Sequence, residues 1–219
     1  MLDSKTEKVA GIIRGLQIPE IRKLLVVGCG SGVEAAILAA ELNTRVTGID
    51  LKNNFDHEAA KIADLRTGDA MSLEFADESF DFVFSYHALE HITEPEKALW
   101  EMNRVLRKGG GFWIGTPNRS RILGYIGGKD TSFRQKISWN LMDWRARLSG
   151  RFRNELGAHA GFTASELSGL ISAVFPVVNE MTEAYFATIY ENHRVALKAI
   201  EISRLSGFIY PSVYFAGVK

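Results

Sequence analysis

Short apolar runs alternate with helix-like segments through the first half of the chain. The run Leu24–Gly28 is apolar and ends in glycine, which is typical of a buried parallel strand. Gly32–Leu42 is rich in Ala, Leu and Ile and predicts a helix. Two further strands are predicted at Arg45–Asp50 and Phe80–Tyr86. Because strands alternate with helices at this pace, the pattern predicts an α/β domain with a mainly parallel sheet.

The remaining elements are predicted from apolar periodicity, caps and glycines. Thr163-Ala-Ser-Glu166 is a capping box that begins one helix, and Pro95 begins another that is expected to stop at Gly109-Gly-Gly111. The other expected helices span 4–17, about 56–63 and about 190–205. Four other strands are expected: one that ends near residue 70, one that spans 112–116, one that begins at 177 and one near 210–217.

The second half of the chain contains a basic segment. Residues 119–158 hold nine Arg and Lys against three Asp and Glu, so this segment carries about +6 and the rest of the chain about −6. No linker or internal repeat interrupts the sequence, and we therefore expect one domain over 1–219. Within it, 119–160 is expected to form a basic, aromatic-containing lid or substrate insert.

Charge and cysteine content narrow the partners and the compartment. The 219 residues include 26 basic and 26 acidic side chains, and this zero balance gives no support for a nucleic-acid partner. The single cysteine, Cys29, can form neither an intrachain disulfide nor a cysteine-based zinc site, which favours a reducing, cytoplasmic compartment. The start lacks a leader-like apolar stretch and no run of 18 apolar residues occurs, so we expect no membrane span.

A glycine loop, Gly28-Cys-Gly-Ser-Gly32, follows the first predicted strand. Glycines at a strand-to-helix turn let the backbone approach a ligand, and the helix N-terminus offers unpaired N–H groups. The dinucleotide fingerprint needs a glycine five residues after the first, where this chain has Val33. The loop therefore disfavours a nicotinamide or flavin cofactor.

Acidic residues close the next two predicted strands. Asp50 lies 22 residues after Gly28, and a carboxylate there can accept hydrogen bonds from both hydroxyls of a ribose. Gly68-Asp69-Ala70 places an acceptor side chain beside a backbone N–H, a pair that can bind the amino group and ring nitrogen of adenine. Because the carboxyl ends of parallel strands share one edge, these groups are expected to line one crevice. The alternative is that both aspartates only cap turns.

These motifs, in this order, resemble the class I S-adenosylmethionine-dependent methyltransferases, in particular the small single-domain type 11 group. The resemblance covers about residues 20–118. It rests on Val26-Val-Gly-Cys-Gly-Ser-Gly-Val-Glu34, Gly48-Ile-Asp50, Gly68-Asp-Ala70, Phe80-Asp-Phe-Val-Phe-Ser85, Leu89-Glu-His-Ile92 and Arg104-Val-Leu-Arg-Lys-Gly-Gly110. It implies a Rossmann-like fold, with a mainly parallel seven-stranded sheet, an antiparallel last strand and helices on both faces.

The resemblance also implies how S-adenosyl-L-methionine would be bound. Gly28 and Gly30, with Cys29 between them, would approach the methionine moiety. Asp50 would hold the ribose, and Leu51 would lie against the adenine face. The ends of the third and fourth strands would complete the site, with Asp69 and Ala70 at the adenine edge and Ser85 and Tyr86 beside the sulfonium.

His87 and His91 follow the fourth strand, where the methyl acceptor is expected to enter. A general base is needed only if the acceptor must lose a proton, and His87 is the candidate for a base or a substrate contact. His91 is expected to orient the following loop, and both could instead be surface or capping histidines. His87-Ala-Leu-Glu-His91 also matches an inverted zinc-peptidase pattern. Pro95 follows soon after and no third ligand stands out, so we expect no metal.

The sequence favours a small-molecule acceptor that is methylated at oxygen. The fourth strand is not followed by the Asn/Asp-Pro-Pro-aromatic motif that enzymes methylating base amines or glutamine amides usually carry. Cys29 belongs to the glycine loop, which leaves no cysteine for covalent cytosine methylation. Two alternatives stay open. One is a methyltransferase that acts on a lipid, quinone or lipid-linked glycan at a membrane surface, and the other is a non-catalytic S-adenosylmethionine-binding protein.

Residues 133–152 have a helical apolar pattern with arginines beside it. The apolar stripe contains Phe133, Ile137, Leu141, Trp144, Leu148 and Phe152, and Arg134, Arg145 and Arg151 fall outside it. One interpretation is an amphipathic helix whose apolar face covers the active-site crevice. A second is an interfacial helix in peripheral contact with an anionic membrane. A third is that the arginines attract a carboxylated or phosphorylated soluble substrate.

Overall fold

The computed structural model describes residues 4–125, 132–154 and 159–219. Its strands are Lys23–Val27 (β1), Arg45–Asp50 (β2), Asp64–Thr67 (β3), Phe80–Tyr86 (β4), Leu106–Pro117 (β5), Val177–Glu180 (β6) and Ser212–Val218 (β7). Its α-helices are Ser4–Gly15 (α1), Val33–Leu42 (α2), Pro95–Val105 (α3), Phe133–Leu148 (α4), Ala164–Ser172 (α5), Thr182–Ile189 (α6), Arg194–Ser203 (α7) and Ser206–Ile209 (α8). Short 3₁₀ helices lie at Ala59–Lys61, Leu89–His91 and Glu191–His193.

The strands form one seven-stranded sheet in the order β3-β2-β1-β4-β5-β7-β6. Neighbours from β3 to β5 pair in parallel, whereas β7 runs antiparallel to both β5 and β6. The strand order reverses direction between β1 and β4, and open α/β sheets bind ligands beside such a switch point, at the carboxyl edge. The predicted fold, mainly parallel with an antiparallel last strand, is confirmed.

Helices cover both faces of this sheet because alternate strand residues point to opposite sides. On one face, Leu24 and Phe82 pack with Ile13 of α1 and Leu38 of α2. On the other face, the core includes Leu25, Val27 and Val83 together with residues from α3 and α5. Trp113 of β5 is fully buried in the first of these cores.

Several predicted elements differ from the observed ones. The helix expected over 56–63 is only the 3₁₀ helix Ala59–Lys61, where Asp56 Oδ1 accepts hydrogen bonds from the N–H groups of Glu58 and Ala59. The three glycines at 109–111 lie inside β5 rather than ending a helix; a side chain at Gly110 would approach the carbonyl of Asp81 to 2.8 Å. Helix α6 was not predicted at all.

Candidate active site

The glycine loop joins β1 to α2 in the conformation that glycine favours. The φ values are 74° at Gly28, 53° at Gly30 and 84° at Gly32, and residues that carry a side chain rarely adopt such values. A Cβ on Gly28 would lie 2.2 Å from the Cβ of Ala88, so the loop packs directly on the segment after β4. A Cβ on Gly30 would meet nothing within 4 Å. The middle of the loop therefore borders open space while its first residue is tightly held.

Asp50 ties the end of β2 to this loop. Its Oδ2 accepts a hydrogen bond from the N–H of Gly30 at 2.9 Å, and its Oδ1 accepts one from the N–H of Lys52 at 3.0 Å. The side chain is only partly buried, and each carboxylate oxygen has a second lone pair. Asp50 can therefore accept further hydrogen bonds from a ligand while it shapes the loop.

Asp69 forms a turn after β3. Its Oδ1 accepts a hydrogen bond from the N–H of Met71 at 2.8 Å, and the N–H of Gly68 donates to the carbonyl of Asp50 at 2.9 Å. The second of these bonds joins the end of β3 to the end of β2. The turn-capping role considered for both aspartates is thus present in the structure, and it coexists with their place in a cavity.

A cavity of about 570 Å³ lies at this edge of the sheet, and we call it the cofactor cavity because most of the residues predicted to bind a cofactor line it. The predicted residues that line it are Gly28, Gly30, Asp50, Leu51, Asp69, Ala70 and His87. Leu51 is 69% exposed, so an apolar surface is available for a ligand. Cys29 and Ser85 are buried and are not among the lining residues. Tyr86 lines a different cavity, described next.

A second cavity of about 450 Å³, called here the aromatic cavity, adjoins the first. Its aromatic lining comes from Tyr86 of β4, Tyr185 and Phe186 of α6, and Tyr214 of β7, together with Tyr125 and Tyr190. Its polar lining includes Lys5, Arg121, His159 and Glu90. His87 and His91 line both cavities, so the two spaces meet at these histidines.

Three tyrosine hydroxyls are joined inside the aromatic cavity. The hydroxyls of Tyr86 and Tyr185 are 2.7 Å apart, and the hydroxyl of Tyr214 donates to that of Tyr86 at 3.2 Å. Burial, reinforced by the neighbouring tyrosines, raises the pKa of Tyr86 and of Tyr214 well above the usual value. Both phenols are therefore neutral near pH 7 and are poor candidates for a general base.

Glu90 is a polar residue of this site that the sequence analysis did not single out. It lies in the 3₁₀ helix Leu89–His91 and is 4% exposed. Its Oε1 lies 3.8 Å from Nδ1 of His87 and 3.9 Å from Nε2 of His91. Its Oε2 is buried and has no hydrogen-bond partner among the described residues. The signal in the sequence was its position between two histidines.

The inverted zinc-peptidase pattern does not form the helix that such a site requires. His87 lies just beyond β4 with a φ of 53°, and its N–H donates to the carbonyl of Gly115 at 2.8 Å. Leu89–His91 is a single 3₁₀ turn. In the described ranges, no group of three or more His, Cys, Asp or Glu is arranged to hold a metal ion.

Cys29 is expected to react slowly with a thiol reagent. Burial, followed by the nearby Asp50 carboxylate, raises the pKa of its thiol to about 12, so the reactive thiolate is scarce between pH 7 and 9. We expect an aromatic disulfide reagent at pH 8 to modify the native protein at least about tenfold more slowly than the denatured protein. The absorbance of the released thiolate measures both rates, and equal rates would contradict the burial of this thiol.

Comparison with known proteins identifies the type of domain. Residues 25–114 match the family model of a methyltransferase domain, designated Methyltransf_11. The matched segment begins in β1, ends in β5 and includes the glycine loop, Asp50 and Asp69. Over these residues the chain is similar to the methyltransferase domains of that family. The resemblance noted in the sequence is thus confirmed.

Known proteins are similar to this chain over different lengths. A probable S-adenosylmethionine-dependent methyltransferase of Mycolicibacterium smegmatis is 34% identical over 113 residues, which cover 50% of this chain and 42% of that protein. A demethylmenaquinone methyltransferase of Staphylococcus aureus is 34% identical over 107 residues, or 45% of this chain and 44% of that protein. The chain thus spans less than half the length of either relative.

One solved structure supports the fold over nearly the whole chain. Phosphoethanolamine N-methyltransferase 2 of Haemonchus contortus, in complex with S-adenosyl-L-methionine, has a TM-score of 0.60 and 20% sequence identity. The match covers 97% of this chain and 52% of that one. At this identity the similarity concerns the fold only.

Proposed function

We propose that this protein transfers the methyl group of S-adenosyl-L-methionine to an oxygen atom of a small molecule bound in the aromatic cavity. The observation that carries the proposal is the meeting of two cavities at His87 and His91. One of them has the glycine loop and two strand-end carboxylates that suit an adenosine, and the other has an aromatic wall that suits an organic acceptor.

The residues of the cofactor cavity fit S-adenosyl-L-methionine. Gly30 leaves open space where a side chain would stand, Asp50 retains acceptor capacity for ribose hydroxyls, and exposed Leu51 offers an apolar surface for adenine. Asp69 and Ala70 line the same cavity, which supports their proposed contact with the adenine edge. When bound, the cofactor supplies a methyl group on a sulfonium, which is an excellent leaving group.

The protein itself aligns the acceptor, excludes water and accepts one proton from the acceptor hydroxyl. The aromatic wall holds the acceptor in a largely apolar space, where proximity and orientation lower the barrier. We assign His87 as the base that takes the hydroxyl proton, because it borders both cavities while the buried tyrosines are neutral. The new bond joins the acceptor oxygen to the methyl carbon, and the electrons of the broken C–S bond stay on sulfur.

Glu90 supports this assignment. Its Oε1 faces the ring nitrogens of both histidines, and its unpartnered Oε2 can accept a hydrogen bond from a group that enters the aromatic cavity. A carboxylate at this position also stabilises the positive charge that forms on His87 after proton transfer.

Calorimetry and a radiolabel assay test the proposal in two stages. We expect S-adenosyl-L-methionine and its demethylated product to bind in calorimetry, and cofactor labelled on the methyl group to transfer label to a small molecule of a cell extract. Absence of cofactor binding would refute the proposal. Binding without transfer to any extract would favour the rival interpretation, a non-catalytic S-adenosylmethionine-binding protein.

A second candidate is an acceptor that resides in a membrane, such as a quinone, a lipid or a lipid-linked glycan. It is favoured by the apolar side chains of α4, none of which is buried. The first interpretation of 133–152, an amphipathic helix that covers the active-site crevice, stays a prediction. Within the described ranges, no helix is long and apolar enough to cross a bilayer. The role of 119–160 as a lid stays a prediction, and 126–131 and 155–158 lie outside the described residues.

A further inference from the structure

Helix α4 exposes large apolar side chains to solvent. Phe133, Leu141 and Leu148 are 77%, 64% and 86% exposed. Ile137, Trp139, Met142 and Trp144 are exposed as well. The contacts that hold the helix include the hydrogen bond from the N–H of Gly124 to Oδ1 of Asn140 at 2.7 Å and the edge-on contact between the rings of Trp139 and Tyr125. A concentration of exposed apolar side chains on one element usually marks an interaction site.

A pair of helices, α7 and α8, repeats this feature in a different part of the sequence. Val195 and Ile202 of α7 are 88% and 74% exposed, and both lie on one side of the helix because they are seven residues apart. Leu205 and Phe208 continue the exposed apolar surface into α8. Leu197 and Ile200, in contrast, pack against the core and anchor α7.

The two exposed regions are connected by one short segment. The N–H of Ile122 donates to the carbonyl of Phe208 at 2.8 Å, which joins the segment to α8. Nη2 of Arg147 donates to the carbonyl of Arg121 at 2.9 Å, which joins it to α4. Ile122 and Leu123 are themselves about half exposed, at 48% and 52%. We call α4, residues 122–124, α7 and α8 together the docking face.

The docking face carries more positive than negative charge. Helix α4 contributes four basic side chains and one acidic side chain, and the acidic one, Asp143, pairs with Arg121 at 3.0 Å. Helix α7 contributes Arg194 and Lys198 against Glu201. A face that combines exposed apolar side chains with basic ones complements a surface of anionic lipid headgroups over acyl chains. A second copy of the chain would instead bring like charges together.

We propose that the docking face binds an anionic lipid bilayer, and that this places the aromatic cavity next to the membrane surface. The two features are continuous because Arg121 and Tyr125, which flank the segment 122–124, line that cavity. The binding itself is independent of the proposed methyl transfer. Only its consequence, delivery of an acceptor from the bilayer, rests on the proposed function.

Vesicle co-sedimentation tests the proposal without the acceptor. The probes are phosphatidylcholine vesicles with and without about 30% phosphatidylglycerol, at low and high salt. Two double variants remove apolar contacts: Leu141→Glu with Leu148→Glu on α4, and Val195→Glu with Ile202→Glu on α7. A matched control, Ile62→Glu with Val177→Glu, makes the same charge change at exposed apolar residues outside the docking face.

The unmodified chain is expected to bind the anionic vesicles, and to bind them less at high salt. Each docking-face variant should weaken binding by at least about tenfold, while the control changes it by less than about twofold. Absence of binding to anionic vesicles, or equal losses in the control, would overturn the proposal. A dimer in lipid-free buffer that the α4 variant dissociates would overturn it too, since the face would then belong to a second copy. Calorimetry with S-adenosyl-L-methionine on the same variants separates this result from a failure of the proposed function.

Discussion

Asp50→Ala is expected to weaken the binding of S-adenosyl-L-methionine by about 2–3 kcal/mol, roughly 30- to 150-fold in Kd. In the proposed complex the Asp50 carboxylate accepts hydrogen bonds from the ribose hydroxyls. The same carboxylate holds the N–H of Gly30 at 2.9 Å, so its removal also releases the glycine loop that borders the cofactor cavity. Both effects act on the cofactor site, and titration calorimetry measures their sum.

A second aspartate provides a matched control for that loss. Asp81 accepts hydrogen bonds from the N–H groups of Arg22 and Lys23 at 2.9 and 2.8 Å, but it lies at the opposite, amino end of the strands. Asp81→Ala removes a carboxylate with a comparable backbone role and should lower thermal stability while leaving cofactor affinity unchanged. If Asp50→Ala bound the cofactor as tightly as the unmodified chain, the proposed ribose contact would be wrong.

The cofactor cavity could be predicted from the sequence because its parts are local. Glycines that need positive φ, and acidic residues at the ends of apolar runs, are visible in single short segments. The rule that parallel strands end at one edge then brings Asp50 and Asp69 together without knowledge of the packing. The carboxylates do meet at one cavity, although Cys29 and Ser85 are buried and do not line it.

The aromatic cavity could not be predicted because its wall is assembled from distant segments. Tyr86 meets Tyr185 across 99 positions and Tyr214 across 128 positions of the sequence. Helix α6, which carries Tyr185, lies in a stretch whose pattern was not assigned to any element. The sequence also could not predict the surroundings of the apolar side chains of α4, because periodicity predicts a helix but not what its apolar side faces.

Glu90→Gln is expected to raise the stability of the protein and to lower methyl transfer by about 100-fold. The Glu90 side chain is 2% exposed and its Oε2 has no partner among the described residues, a costly arrangement for a carboxylate. The glutamine amide has nearly the same shape without the charge, so the free energy of unfolding should increase by about 1–3 kcal/mol. The same substitution removes the negative charge beside His87, which the proposed proton transfer requires.

Thermal unfolding and label transfer from the cofactor to a cell extract measure the two effects of Glu90→Gln on one sample. The control is Glu94→Gln, an exposed residue four positions further along, which should change neither quantity. Higher stability together with lower methyl transfer would be decisive. If Glu90 served only in packing, its substitution would lower the stability of the protein. If it had no role in the reaction, its substitution would leave methyl transfer unchanged. Unchanged cofactor affinity in Glu90→Gln is also expected, since this side chain lines the aromatic cavity and not the cofactor cavity. Reduced stability with full transfer would refute the role of Glu90 in the proposed chemistry.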